Sequence, residues 1–332
     1  MPAARNWIGA ACGCIGCIVC IGITVAPLNP AAAQSYPAKP VRFIIPFAPG
    51  GGNDIIGRAI AAKLTDAWKQ QMVVDNRPGA GGNIAGEITA RAAPDGHTVF
   101  QFNIANVIAA SIYPKLAYDP VRDFAPVTQI GGSPFLLVVH PSVRANDVRE
   151  LIALAKAQPT LLNYASSGNG GSTHLVTELF KSMAGISMTH IPYNGAGPAL
   201  TTLLSGQVQL FFMVPATSRA HIKAGRLRAL AISSAQRSKL MPEVPTVAES
   251  GVAGFEGSTW YGVVVPARTP PAIVTQLNRD IVAVLNEPDM RERMSNQGIE
   301  LVASTPGEFA RFIQAEHAKW ARAVKISGAR VD

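Results

Sequence analysis

One unit recurs along this chain and limits what it can fold into: an apolar stretch of strand length, a glycine-rich turn, then a helix. The first copy is the clearest. Val41 to Ile45 reads as a buried strand, and Pro46-Phe47-Ala48-Pro49-Gly50-Gly51-Gly52-Asn53-Asp54 as the turn. Ile56, Ile60, Leu64 and Ala67 then recur at helical spacing, which predicts a helix over 54–68. A strand that passes through glycines into a helix start leaves backbone N–H groups without intrahelical partners, at the positive end of the helix dipole. Such a turn is an anion site, and this one is expected to hold a ligand carboxylate. A plain tight turn needing positive φ is the alternative, although three successive glycines exceed that need.

Three more copies follow. Met72–Asn76 leads through Arg77-Pro78-Gly79-Ala80-Gly81-Gly82 into a helix from about Ile84 to Ala92, and Leu161–Ala165 through Ser166-Ser167-Gly168-Asn169-Gly170-Gly171-Ser172 into a helix at Thr173–Met183. Met188–Pro192 leads through Tyr193-Asn194-Gly195-Ala196-Gly197-Pro198 into a helix with Pro198 at its first position and Gly206 as its stop. Further strands are expected at His97–Phe102, Phe124–Ile130, Phe135–Val139, Val208–Met213, Arg228–Ser233 and Trp260–Pro266. Further helices are expected at 104–113, 147–157 (capped by Asn146 or Asp147), 217–224, 271–286 and 306–324. This alternation implies βαβ units and a mostly parallel sheet. Ligands of open α/β sheets sit beyond the carboxyl ends of strands, where all four turns lie. Two α/β domains facing each other bring the turns together across a cleft, the geometry of a hinged binding protein.

Bulk properties narrow the class. A chain of 332 residues fits two domains, and 48% hydrophobic with 15% charged residues argues against disorder. The net charge of +8 is scattered, with no Lys/Arg run interleaved with aromatics, so nucleic acid is not an expected partner; a mild positive field suits anionic small molecules. All four cysteines (Cys12, Cys14, Cys17, Cys20) lie in an apolar stretch from Trp7 to Val25 that follows Arg5 and precedes Ala31-Ala32-Ala33. This reads as a secretory signal, residues 1–33, cleaved after Ala33. An uncleaved anchor and a lipidated Cys17 are the alternatives. The mature chain then has no cysteine, which removes disulfides, zinc–thiolate sites and cysteine nucleophiles. No cofactor and no metal are expected.

Short motifs, taken together and in order, carry a resemblance. They are Tyr36-Pro37-x-Lys39-Pro40-Val41-Arg42, Pro46-Phe47-x-Pro49-Gly50-Gly51, Asn76-Arg77-Pro78-Gly79-Ala80-Gly81-Gly82, Asp95-Gly96-His97-Thr98, Tyr164-x-Ser166-Ser167-Gly168, Pro192-Tyr193-x-Gly195-x-Gly197-Pro198-Ala199, Pro242-x-Val244-Pro245-Thr246-x-x-Glu249 and Trp260-Tyr261-Gly262. Over nearly the whole chain from Tyr36, the sequence resembles the periplasmic solute-binding receptors of tripartite tricarboxylate transporters, the Bug proteins. The resemblance implies an α/β, two-domain periplasmic-binding-protein fold of type II, a flytrap with its ligand cleft between the domains. The first domain is then 36–132 plus 259–332 and the second 133–258, with Phe135–Val139 and Trp260–Pro266 crossing the hinge. It also implies a monomer that captures a small carboxylate in the periplasm and delivers it to a two-subunit inner-membrane permease. The family binds the carboxylate largely through backbone groups and water. Carried onto this sequence, those positions are Phe47, Gly50, Gly51, Gly52, Asn53 and Asp54, with Ser166, Ser167, Gly168 and Thr173 opposite, and Tyr193 and Asn194 at the distal end.

Many members of that family have acidic residues where this chain has Gln209-Leu210-Phe211-Phe212-Met213. A buried ammonium there lacks a counter-charge. Amino acids are therefore disfavoured. The expected ligand is a dicarboxylate, or a carboxylate whose apolar or aromatic body meets Phe47, Phe212, Met213 and Trp260. Several residues have bland readings. Asp54 suits any helix first turn, Ser172 or Thr173 can cap a helix, and His174 reads as a first-turn surface residue. Arg77 either clamps a carboxylate or is structural, and Arg311, Glu316 and Lys319 form a solvated helix face. Rival functions are a sensor presenting ligand to a signalling partner and a nucleotide-binding enzyme. The enzyme fits poorly, since Ile55 stands where G-x-G-x-x-G needs its third glycine, and neither Walker A nor G-x-S-x-G occurs.

Overall fold

The strand and helix signals resolve into two separate mixed sheets in a computed structural model, which describes residues 36–113, 115–238 and 241–327. The expected signal segment 1–33 lies outside the described residues. The chain runs β1 (Val41–Ile45), α1 (Gly52–Trp68), β2 (Met72–Asn76), a 3-10 turn (Ala80–Gly82), α2 (Asn83–Ala90), β3 (Thr98–Asn103), α3 (Ile104–Ile112) and β4 (Phe124–Pro134). It continues through β5 (Leu136–Val139), α4 (Val148–Ala157), β6 (Asn163–Ser166), α5 (Ser172–Ala184), β7 (Thr189–Pro192), α6 (Ala196–Leu204), β8 (Leu210–Met213), α7 (Pro215–Lys223) and β9 (Arg228–Ile232). It ends with β10 (Ser258–Pro266), α8 (Pro271–Asn286), α9 (Pro288–Asn296), β11 (Glu300–Leu301) and α10 (Pro306–Ser327). The helix α9 and strand β11 were not expected from the sequence pattern.

The first sheet has the order β11-β4-β10-β3-β1-β2 and the second β7-β6-β8-β5-β9. In each, the strands that carry glycine turns are parallel, β1 with β2 and β6 with β7, and β3 and β8 extend the parallel set. The two sheets are mixed but mostly one-directional, as the βαβ pattern implies: β1–β4 run together against β10 and β11, and β6–β9 run together against β5. Strand β10 is antiparallel to β3 and β4, and β5 is antiparallel to β8 and β9. Both of these strands follow a passage of the chain from one sheet to the other, and they enter against the local direction.

The two passages are short and tied to each other. Only Phe135 separates β4 from β5, and the return leads from Ser233 through to Gly257 ahead of β10. The Ser233 hydroxyl accepts from the Phe135 N–H at 2.7 Å and donates to the Gly257 carbonyl. Its backbone bonds the same two residues, at 2.8 Å to the Phe135 carbonyl and 2.9 Å from the Gly257 N–H. Ser233 is fully buried. Hinge-crossing strands are expected here, and Ser233 ties the two passages through its hydroxyl and its backbone together.

Helix ends follow local chemistry. The Asp147 carboxylate accepts from the Glu150 N–H at 2.8 Å and caps α4, while Asn103 and Asn106 form a reciprocal cap on α3. Pro198 is the third residue of α6 instead of its first, because Gly195 takes the cap position with φ 138°. The cores lie between sheets and helices: Phe43, Ile60, Leu64, Leu277 and Ile281 in the first lobe, and Phe135, Tyr164, Phe180, Phe212 and Phe255 in the second. Gly262 has a packing reason. A Cβ there sits 2.1 Å from the far end of the Phe309 ring, which α10 brings against β10. We expect Gly262→Ala to cost about 1–3 kcal/mol in urea denaturation by overpacking, and Phe309→Leu in the same chain to recover part of it. Wild-type stability in the single variant disproves that account.

Candidate functional site

Four helices begin where the two lobes meet, and none has a side-chain cap. The cap residues are Gly51 for α1, Gly171 for α5, Gly195 for α6 and Val214 for α7. The N–H groups of Gly52, Asn53, Ser172 and Thr173 have no acceptor among the described residues. All four residues line a small cavity of about 40 Å³ between the lobes, which is room for about three water molecules. Phe47, Gly51, Ser167, Ala196, Phe211, Met213, Val214, Thr259 and Tyr261 complete its wall, with Phe135 at the hinge end. Beside it, and sharing Ser167, lies an open hollow of about 220 Å³ walled by Gly79, Ala80, Gly81, Gly168, Asn169, Pro192, Tyr193 and Asn194. Neither space is lined by Lys, Arg, His, Asp or Glu. The orphan N–H groups at opposed helix starts therefore supply the positive potential. A larger groove of about 740 Å³ lies on the outer side of the hinge, with Ser133, Arg237, Ser258 and Arg291 in its wall, and none of these helix starts faces it.

The lobes are in contact. The Ala48 N–H donates to the Asn194 carbonyl at 3.0 Å, and the Tyr113 hydroxyl donates to the Asn169 carbonyl at 2.7 Å. A Cβ on Gly81 meets the Asn169 carbonyl oxygen at 2.5 Å, and one on Gly197 meets the Pro49 carbonyl oxygen at 2.5 Å. Glycine at these positions lets backbone approach backbone.

The structure brings together Phe47, Gly51, Gly52, Asn53, Ser167, Thr173 and Met213 around the cavity, and Gly168, Tyr193 and Asn194 around the adjoining hollow. The remaining sequence candidates line neither. Trp260 faces the other side of β10, where it packs on Phe102, Phe309 and Phe312 and donates its indole N–H to Glu316 at 3.0 Å. Its neighbours Thr259 and Tyr261 face the cavity instead, since successive strand residues alternate faces. The same one-residue slip places Phe211 at the cavity and Phe212 in the core. Ser166 is fully buried, with its Oγ 2.6 Å from His190 Nε2 and accepting from the Gly168 N–H at 3.1 Å. Gln209 bonds Asn163 and Gly206 at the far end of β8, and Arg77 pairs with Asp75 at 2.9 Å. Glu316 is buried and accepts from both Trp260 and Trp320, so this helix face is not merely solvated.

Asp54 holds the first loop from behind. Its carboxylate accepts from the Gly50 N–H at 3.1 Å, from Asn76 Nδ2 at 3.0 Å and from Arg58 Nε at 2.9 Å. Gly50 thus spends its N–H inside the loop. Asn76 Nδ2 also donates to the Phe47 carbonyl at 2.8 Å. Burial alone raises the Asp54 pKa, but the bonds from Arg58, Gly50 and Asn76 outweigh it and hold the carboxyl below its usual range. Thr173 is not a cap: its hydroxyl accepts from the Ser167 N–H at 2.8 Å and so pins the facing loop. Tyr261 was missed by the sequence reading. Burial raises its pKa, so it stays a neutral donor, and its hydroxyl lies about where a Cβ on Gly52 points, 3.1 Å away. The signal that finds it is strand alternation along Thr259-Trp260-Tyr261.

The profile of the tripartite tricarboxylate transporter family receptors matches residues 56–328. The chain belongs to this receptor family. The receptor is 38% identical to "Protein BugT" of Bordetella pertussis over 316 residues, which cover 94% of this chain and 97% of that one. Among solved structures it is similar to "R. palustris Rpa4515 with adipate", at 36% identity and a TM-score of 0.86, covering 89% of this chain and all of that one. It is also similar to MatC of Rhodopseudomonas palustris with bound malate, at 31% identity and a TM-score of 0.84, covering 87% of this chain and all of that one. The two-lobed periplasmic-binding-protein fold follows from these likenesses, and the receptor is a solute-binding protein, not an enzyme.

The loop anchor gives a prediction. Asp54→Ala leaves Arg58, Asn76 and the Gly50 N–H without their acceptor and should cost about 1–3 kcal/mol in urea denaturation. Because the folded pKa is depressed, this contribution is present above about pH 4 and is lost as pH falls through the folded value. The stability gap between wild type and Asp54→Ala should therefore shrink in acid, and a constant gap from pH 7 to pH 3 rules out the carboxylate as the cause.

Proposed function

We propose that this receptor captures a small dicarboxylate, or a carboxylate with an apolar or aromatic body, and closes its two lobes over it. The observation that carries the reading is the meeting of uncapped α1 and α5, one from each lobe, on a cavity with no charged side chain. A carboxylate oxygen placed there accepts from Gly52, Asn53, Ser172 and Thr173 N–H groups and from the Tyr261 hydroxyl, and so bridges the lobes. Uncharged walls disfavour an ammonium group, which pays its full desolvation cost. Phe47, Phe211, Met213 and the adjoining hollow at Tyr193 and Asn194 accommodate an apolar spacer and a second polar end. Bound adipate and malate in the similar structures support this class of ligand.

The wider role follows the family. We place the receptor in the periplasm as a monomer, exported on the 1–33 signal, and delivering its ligand to a two-subunit inner-membrane permease. Its domains divide as 36–132 plus 259–332 and 133–258.

A thermal-shift panel tests the ligand class. Aliphatic and aromatic mono-, di- and tricarboxylates, adipate and malate included, are compared with NAD and ATP. A true ligand at one hundred times its Kd adds about 2.7 kcal/mol, roughly 5 °C for a chain of this size. Stabilisation by NAD or ATP and by no carboxylate sinks the proposal.

Closure has its own test. Gly197→Ala suits helix α6 in isolation, since alanine is the better helix former by about 0.5–1 kcal/mol. Its Cβ nevertheless collides with the Pro49 carbonyl of the other lobe. The ligand-free melting temperature should hold or rise, while adipate affinity falls at least tenfold. Unchanged affinity shows that binding does not use this close approach.

A further inference from the structure

Two histidines with no part in the cavity wall sit directly behind the loop at 167–171. His174 on α5 and His190 on β7 stack face to face, with ring centroids 4.1 Å apart and planes 6° from parallel. Tyr164 on β6 continues the stack, 4.8 Å from His190. His174 is thus not the surface residue that the sequence pattern implies. Its Nδ1 accepts from the Gly170 N–H at 3.1 Å. A backbone N–H only donates, so Nδ1 carries a bare lone pair and the ring is neutral, with its proton on Nε2. His190 Nε2 meets Ser166 Oγ, which in turn accepts from Gly168. Both ends of the 168–170 turn therefore hang on this pair of rings. The same turn makes the contact with the other lobe: the Asn169 carbonyl accepts from Tyr113, and Gly81 lies against it.

We propose that His174 and His190 form a proton-sensitive latch, in which adding a proton to His174 unpins Gly170 and loosens the lobe-to-lobe contact of the Asn169 turn. A proton on Nδ1 replaces an acceptor with a donor that faces another donor. It also puts a positive charge 4.1 Å from a ring whose own protonation is thereby opposed. Glu178 faces the pair and favours a charged ring, but burial outweighs it. On α5, Glu178 is already bonded to Lys181 Nζ at 2.7 Å and to the Tyr164 hydroxyl at 2.5 Å. Lys181 adds like charge above Tyr164, and Tyr113, just past the end of α3, brings only a neutral phenol toward Gly170.

The direction follows from burial. Burial lowers the His174 pKa and pushes that of His190 down to about 4, with the charge of His174 adding to the second effect. Above about pH 6.5 both rings are neutral whether or not the turn is pinned. As pH falls below that value, the unpinned state takes up the proton first, and the pinned state is progressively lost.

The test combines two readouts. In isotope-labelled, ligand-free protein, the His174 Cε1–H signal is titrated by NMR while hydrogen exchange follows the Gly170 amide, corrected for intrinsic pH dependence. Loss of Gly170 protection should share the midpoint of His174. Protection that persists through the His174 titration overturns the proposal. The second readout rests on the carboxylate reading and uses adipate as the probe. Its affinity should fall at least fivefold from pH 7.5 to pH 5.0 beyond any fall in His174→Gln, a comparison that cancels protonation of adipate itself. Equal falls in both proteins overturn the latch. Absence of adipate binding at either pH counts against adipate as a ligand, and the Gly170 exchange then decides the latch alone.

Discussion

Backbone against backbone is the interaction on which this receptor depends. Loops from the two lobes come close enough for a Cβ at Gly81 or Gly197 to strike a carbonyl of the facing loop, and close enough for Ala48 to bond Asn194 directly. That proximity sets two uncapped helix starts, α1 and α5, on one small cavity. Side-chain cations would reach across a wider gap, but they would also fix a charge in the cleft when it is empty. Helix N–H groups hold an anion without that cost and are oriented before the ligand arrives. The side chains are left to hold the loops, as Asp54 and Thr173 do, or to shape the space, as Met213 and Phe211 do.

Much of this was legible in the sequence because glycine turns at strand ends are punctuation that tertiary context rarely overrides. The strand–turn–helix units at Gly50–Gly52, Gly79–Gly82, Gly168–Gly171 and Gly195–Gly197 all stand where the pattern puts them. Orientation of single side chains was less legible. Aromatic character drew attention to Trp260 and Phe212, yet each points away from the cavity while the residue beside it points in. A one-residue shift reverses the face of every strand side chain, and apolar strands buried on both faces give composition no means of choosing. His174 and Glu316 were misread for another reason. Their partners, His190 and Trp260, are distant in the chain, and no local pattern announces a stack or a bond made across the fold.

Loops, anchors and joint form one connected system. Asp54 braces the first loop against α1 and β2, Thr173 and His174 brace the facing loop, and the buried Ser233 ties the two passages between the lobes by its hydroxyl and backbone. The wall of the cavity reaches Phe135, which is itself bonded to Ser233. The cavity and the tied passages are thus adjoining parts of one structure.

The place of β10 has a consequence for how the chain becomes folded. It lies between β3 and β4 in the middle of the first sheet, yet it follows β3 by the entire second lobe. Until residues 258–266 arrive, β3 and β4 have no strand between them and both present open edges, the kind of surface that invites wrong pairing. The second lobe is continuous and can assemble early, whereas the first closes late, through contacts of long sequence separation that form slowly. An incomplete chain is therefore not a smaller version of the receptor: it is a finished second lobe attached to a split sheet.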